Sequence, residues 1–143
     1  MKPVVIDTNV FIGALQTRDG VNRAVLEDCF MDRLTPLMGD ALFWEYEALV
    51  GRKELQDHFT LSAEECADFL DDFLSICRWV KIYYQWRPNL RDEGDNHIIE
   101  LAVSGGAKQI ISWNERDFQR GDLLFTDFEV VTPVAYLKSR QFL

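Results

Sequence analysis

Residues 3–11, Pro-Val-Val-Ile-Asp-Thr-Asn-Val-Phe, decide the fold of this chain. Residues 3–7 are an apolar run that ends in an acid, a composition typical of a parallel strand buried on both faces. Residues 9–17 then have the pattern of a helix. The stretch predicts a strand, an acid at its carboxyl end, and a helix that leads away from the sheet.

Strand and helix patterns alternate along the rest of the chain. Further strands are predicted at 35–39, 79–84, 108–112 and 129–132, and helices at 9–17, 22–32, after the caps Asp40 and Ser62, at 95–104 and after Thr132-Pro133. Because helices between strands imply a parallel sheet covered on both faces, we predict an α/β fold, a three-layer α/β/α sandwich with a central parallel sheet of about five strands. The length of 143 residues fits one domain, so residues 1–143 are assigned to a single domain.

Composition and charge narrow the classes of function. The net charge of −9 argues against a DNA-binding module that neutralises phosphates with a basic face. It is compatible with a nuclease, because carboxylates that hold a divalent metal are themselves acidic. No apolar run approaches the ~20 residues of a membrane span. The three cysteines are an odd count without zinc-motif spacing, and no secretory signal is visible, so a cytoplasmic protein with reduced thiols is expected.

Acids follow several of the predicted strands. Asp7 ends the first strand, Asp92 lies just before the helix at 95–104, Asp95 lies at the start of that helix, and Asp117 follows the strand at 108–112. Each has a plainer interpretation, because an aspartate also caps a helix or lies favourably at its N-terminus. Ligands of parallel sheets bind at the carboxyl ends of the strands, however, and these acids share that edge.

A metal-dependent hydrolase would account for this arrangement. Mg²⁺ takes oxygen ligands, keeps several waters and needs only a few carboxylates. Hydrolysis of a phosphodiester requires an activated water and a stabilised leaving group, and one or two metals supply both. Glu45 is a further candidate, although a glutamate inside a helix is by itself usually solvated.

Four segments in this order resemble the PIN-domain family, in particular its VapC-like toxins. They are residues 5–10, 44–47, 92–102 and 110–118. The resemblance covers nearly the whole chain, and the first and third segments carry most of its weight. It implies a PIN-like α/β/α fold.

The resemblance also implies a metal site. The implied ligands of Mg²⁺ or Mn²⁺, which are also the catalytic residues, are Asp7, Glu45, Asp95 and Asp117, with Glu47 as a weaker alternative to Glu45. Supporting roles are implied for Thr8, Asn9, Asp92, Ser112 and Asn114. The family often has an aspartate where this chain has Asn114. That departure leaves Asp117 as the last full charge among the implied ligands on that side of the site, and it leaves open whether one metal or two are held.

The implied activity is that of a metal-dependent endoribonuclease, often the toxin of a toxin–antitoxin pair. The implied partners are an RNA substrate, an antitoxin protein and a second copy of the chain in a homodimer. Two alternatives remain open at this point. One is a catalytically weak or inert PIN-like binding domain, which Asn114 favours. The other is an Asp-dependent phosphatase, which Asn9 disfavours because such enzymes need a second aspartate at that position.

Some other residues could meet an RNA substrate. Arg87, Arg91 and Arg116 flank the acids and could contact phosphates, or they could be ordinary surface charges. The aromatic side chain of Trp79 could stack on a base, although packing in the core or in a dimer is the stronger expectation. His97 could hydrogen-bond a ligand, although an exposed helix histidine is expected.

Overall fold

The computed structural model of the protein describes residues 2–17, 20–82, 96–114 and 128–140. Their sheet has five parallel strands in the order β3-β2-β1-β4-β5. The strands are β1 (Lys2–Ile6), β2 (Leu34–Met38), β3 (Arg78–Trp79), β4 (Gln109–Ile111) and β5 (Glu129–Val131). The predicted parallel α/β sheet is confirmed.

Helices connect these strands and follow the last one. They are α1 (Thr8–Gln16), α2 (Val21–Phe30), α3 (Asp40–Val50), α4 (Lys53–Gln56), α5 (Ala63–Ile76), α6 (Asn96–Gly105) and α7 (Pro133–Arg140). Two sequence signals correctly mark where helices begin. Ser62 caps α5 as predicted and forms a capping box with Glu65, and the Thr132 hydroxyl accepts a hydrogen bond from the Ala135 amide at the start of α7.

Both faces of the sheet are covered, as the predicted three-layer sandwich requires. Successive side chains of a strand point to opposite faces, yet Val4, Val5 and Ile6 of β1 are all buried. The helix α6 packs on β1 and β2, and α2 and α5 pack on β2. At Gly105, a Cβ atom would collide with the Leu37 side chain, so the absence of a side chain lets α6 lie close to β2. Within the described ranges, no helix is long and apolar enough to cross a membrane.

Two local predictions are wrong. The strand predicted at 79–84 is paired only at Arg78 and Trp79, because its neighbour β2 ends at Met38 and offers no further partner. Residues 83 and 84 lie outside the described ranges. Asp40 does not cap α3: Gly39 holds the N-cap position in extended conformation, and Asp40 is in the first turn. An acid is still favourable there, because the helix dipole is positive at that end.

Candidate metal centre

Asp7 lies where β1 ends and α1 begins, and its side chain is only 4% exposed. The parallel strands β1 and β4 are neighbours in the sheet. Asp7, which follows β1, and Ser112, which follows β4, therefore meet at the carboxyl edge of the sheet. The Thr8 amide donates a hydrogen bond to Oδ1 of Asp7 at 2.7 Å, and the Ser112 hydroxyl donates to Oδ2 at 2.7 Å. Asp7 is therefore the N-cap residue of α1, as one interpretation expected, but its second oxygen faces the end of β4.

The electrostatic environment of Asp7 disfavours its charge. Burial raises the pKa of Asp7, hydrogen bonds from Ser112 and Thr8 counteract this only in part, and the nearby charge of Glu45 raises the pKa further. Among the described residues, no cationic side chain lies within ion-pair distance of Asp7. Within that part of the chain, the donors that hold an ionised Asp7 are neutral.

Glu45 reaches the same place from α3. The Thr8 hydroxyl donates to Oε1 of Glu45 at 2.8 Å and also lies 3.4 Å from Oδ1 of Asp7. On the neighbouring residue, the buried Tyr46 hydroxyl donates to the Ile6 carbonyl at 2.6 Å, which ties α3 to the end of β1. Glu47 is exposed two residues along the same helix. The geometry therefore favours Glu45 over Glu47.

His97 on α6 is paired with Glu45. Its Nε2 atom lies 2.8 Å from Oε2 of Glu45. This hydrogen bond is the main reason why the pKa of Glu45 is lowered, although partial burial acts in the opposite direction. The expectation of an exposed helix histidine is wrong, because the His97 side chain is only 18% exposed. The pair joins residues 52 positions apart, which no local sequence pattern indicates.

Ser112 connects Asp7 to the segment after β4. Its hydroxyl oxygen accepts a hydrogen bond from the Asn114 amide at 3.0 Å and lies 3.4 Å from Nδ2 of Asn9. The side-chain Oδ1 of Asn9 in turn accepts a hydrogen bond from the Trp113 backbone amide at 3.3 Å. This network holds Ser112 so that it donates to Asp7. Asn114 takes part through its backbone amide, and its side chain is exposed.

The remaining predicted site residues lie outside the described part of the chain. They are Asp92, Asp95 and Asp117 among the acids, and Arg87, Arg91 and Arg116 among the cations. The described residues bring together Asp7, Glu45, Thr8, Asn9 and Ser112. In those same ranges no group of three or more His, Cys, Asp or Glu side chains lies close enough to hold a metal ion.

The oxygen ligands that the described residues offer are nevertheless of the chemical type that a hard divalent cation prefers. Asp7 and Glu45 are carboxylates, the ligands that Mg²⁺ and Mn²⁺ prefer, and they are held next to each other through Thr8. Asp7 is also a buried acid without a cationic partner among the described side chains, so a bound cation would supply the compensation that burial demands. Two carboxylates suffice when waters and substrate phosphate complete the shell.

Comparison with known proteins gives one family and two similar folds. A sequence profile described as the PIN domain matches residues 3–116. A chain in the structure of VapBC2 from Rickettsia felis bound to a DNA fragment from its promoter is similar with a TM-score of 0.63 and 16% identity, covering 91% of this chain and 98% of that one. A chain of VapBC-1 from nontypeable Haemophilus influenzae is similar with a TM-score of 0.59 and 16% identity, covering 92% and 98%. No curated protein matches the chain significantly.

At 16% identity, the two solved structures show a shared fold. The profile match adds the family, because it spans most of the chain and includes Asp7, Glu45 and Ser112. The resemblance drawn from the four sequence segments is therefore confirmed at this level, and the chain belongs to the PIN-domain family.

Proposed function

We propose that this chain is a Mg²⁺- or Mn²⁺-dependent endoribonuclease that acts as the cytoplasmic toxin of a toxin–antitoxin pair. The observation that carries the proposal is the pairing of Asp7 with Glu45 at the carboxyl edge of the sheet. Asp7 is buried, its pKa is raised, and the described residues offer it no cation. A site of this kind is stabilised by a divalent cation, and membership of the PIN-domain family supports a nuclease.

Asp7 and Glu45 would hold the metal, with Asp95 and Asp117 as further proposed ligands and Asp92 and Asn114 as outer groups. When bound, the cation supplies positive charge for the scissile phosphate and lowers the pKa of a water ligand. The chain's own residues orient the carboxylates. Ser112 and the Thr8 amide hold the two oxygens of Asp7, while His97 holds Oε2 of Glu45.

The proposed partners are RNA, a small antitoxin and a second copy of the chain. The net charge of −9 suits a basic protein partner. The similarity in fold to VapBC2 and VapBC-1 gives the toxin–antitoxin assignment its support. Co-purification with the product of a neighbouring small reading frame, followed by loss of RNA cleavage in the complex, tests this part of the proposal.

The activity is tested by RNA cleavage with a matched pair of variants. We expect the purified chain to cut single-stranded RNA in Mn²⁺ and to lose this activity in EDTA. Glu45→Gln should lower kcat/KM by at least about 100-fold, since the loss of even an outer partner of a metal ligand costs about 10- to 100-fold. Glu47→Gln, an exposed change on the same helix, should leave it unaltered.

Two outcomes would contradict the proposal. If Glu45→Gln and Glu47→Gln are equally active, Glu45 is not a ligand. If the wild-type chain binds neither Mn²⁺ nor Mg²⁺ and cuts no RNA, the alternative of an inert PIN-like binding domain is correct. The specific observation that favours this alternative is the exposed amide of Asn114 in place of an acid.

A further inference from the structure

A cavity of about 520 Å³ opens beside the proposed metal centre. Its lining includes His97, the residue that holds Glu45, so the cavity and the carboxylates share one wall. It also includes Trp79, the last residue of β3, which is the edge strand next to β2. Because the strands are parallel, Trp79 lies at the same carboxyl edge of the sheet as Asp7. The volume is within the range of about 300–1,000 Å³ that small-ligand sites occupy.

Trp79 is arranged for stacking rather than for the core. Its side chain is 48% exposed, so the expectation that it packs in the core is not met. The ring of Phe43 contacts it with a centroid separation of 5.6 Å and an interplanar angle of 59°. Phe43 thus supports the indole from one side while Trp79 lines the cavity. A supported, half-exposed indole is the type of surface on which an unpaired base stacks.

The charges around the cavity are of both signs and favour a base over a phosphate. Asp40 lies in the lining as an exposed acid, Glu100 as a buried acid and Lys81 as an exposed cation. Because Lys81 offsets only one of the two acids, the wall carries no excess of positive charge that would attract a phosphodiester, whereas the carboxyl oxygens can accept hydrogen bonds from the amino groups of a base. The cavity can therefore admit a base while the charged backbone stays outside, towards the carboxylates at the sheet edge.

We propose that this cavity is a subsite for one unpaired nucleobase of the RNA, next to the phosphodiester that is cut, with Trp79 as its stacking platform. The subsite rests on the proposed ribonuclease function. It makes the enzyme specific for single-stranded RNA, because a paired and stacked base cannot enter. His97 sets the distance between base and scissile phosphate, since it lines the cavity and holds Glu45.

The test measures kcat/KM on short single-stranded RNAs with and without one abasic nucleotide, placed in turn at each position around the cut. Trp79→Leu should lower kcat/KM on intact RNA by about 5- to 150-fold, the range for the loss of one base stack. On the RNA that is abasic at the subsite, wild type and Trp79→Leu should be equal. Trp44→Leu is the matched control, because Trp44 is 67% exposed and lines a different groove.

A second variant keeps the proposal testable if Trp79→Leu does not fold. Trp79→Phe keeps an aromatic ring and should retain most of the activity, and the abasic RNA should by itself lower the activity of the wild-type enzyme. The subsite would be overturned if Trp79→Leu and Trp44→Leu lowered kcat/KM equally. It would also be overturned if Trp79→Leu lowered kcat/KM on the abasic RNA as much as on intact RNA. Either result would leave the proposed ribonuclease activity in place. An inhibitor protein that loses affinity on Trp79→Leu while cleavage is unchanged would assign the cavity to a peptide instead. Absence of any metal-dependent cleavage by wild type would reject the ribonuclease and the subsite together.

Discussion

Two buried aspartates in this protein have opposite environments. Asp28 on α2 is 1% exposed and accepts hydrogen bonds from the Tyr136 hydroxyl at 2.7 Å, from Arg140 at 2.6 Å and from Arg33 at 3.1 Å. Burial alone would raise its pKa, but these three donors together lower it. Asp7 is 4% exposed, receives only neutral donors among the described residues, and has a raised pKa.

The difference shows that burial of an acid does not by itself indicate function. Asp28 is fully compensated, and its bonds tie α2 to α7 and to the turn before β2. It needs nothing from outside the chain. Among the described residues Asp7 is incompletely compensated and lies next to a second carboxylate, so it gains from a cation that this part of the chain does not supply. The missing compensation distinguishes the candidate site from a structural ion pair.

The first prediction sharpens the comparison by removing one of the neutral donors of Asp7. Ser112→Ala should lower metal affinity or RNA cleavage by about 10- to 100-fold, as expected for the outer partner of a metal ligand. Cleavage kinetics across a Mn²⁺ titration measure the effect. Ser139→Ala is the control, since Ser139 also donates one side-chain hydrogen bond but does so within α7. Equal activity of the two variants would show that Ser112 does not support the site.

The second prediction applies the same substitution, aspartate to asparagine, to both residues. The free energy of unfolding should change in opposite directions. Asp28→Asn should lower the free energy of unfolding by about 1–3 kcal/mol, because it weakens hydrogen bonds between a buried charge and its donors. Asp7→Asn should raise the stability of the metal-free protein, because it removes the buried charge while the amide oxygen keeps the bond from the Thr8 amide and the amide nitrogen can donate to the Ser112 hydroxyl oxygen, which reverses the second bond. Urea unfolding in EDTA measures both. A loss of stability in both variants would remove the distinction between the two sites.

The stability changes caused by Asp28→Asn and by Asp7→Asn should also depend on pH in different ways. The pKa of Asp28 is lowered in the fold, so its contribution is present above the ordinary pKa, near pH 4, and is lost as the pH falls through the lower folded value. The pKa of Asp7 is raised, so its penalty is absent below the ordinary pKa, grows as the pH rises from there, and is complete above the folded value. The advantage of Asp7→Asn should therefore disappear on acidification, before the disadvantage of Asp28→Asn does.

The sequence predicted the sheet and the position of Asp7 because both depend on local patterns. An apolar run followed by an acid and a helix is visible in nine consecutive residues, 3–11. The environment of Asp28 was not predicted. Its neighbours in sequence make it look like an ordinary helix acid, and two of its three partners lie 108 and 112 positions away.

The same reasoning explains the other differences. The length of β3 depends on where its neighbour β2 ends, and the pairing of His97 with Glu45 depends on how α6 meets α3. Neither is a property of one segment. Glu45 was favoured over Glu47 through family resemblance, and the physical reason is the bond from Tyr46 to β1 that fixes the register of α3. The roles of Asp95 and Asp117 stay predictions.

Calorimetric titration of the metal-free protein with Mn²⁺ tests the central claim most directly, namely that Asp7 is a cation ligand and Asp28 is not. Asp57→Asn, an exposed acid far along the chain, serves as a neutral control. We predict that wild type, Asp57→Asn and folded Asp28→Asn bind Mn²⁺ alike, and that Asp7→Asn does not bind at millimolar metal. Binding by Asp7→Asn with wild-type affinity, or no binding by wild type, would contradict the account.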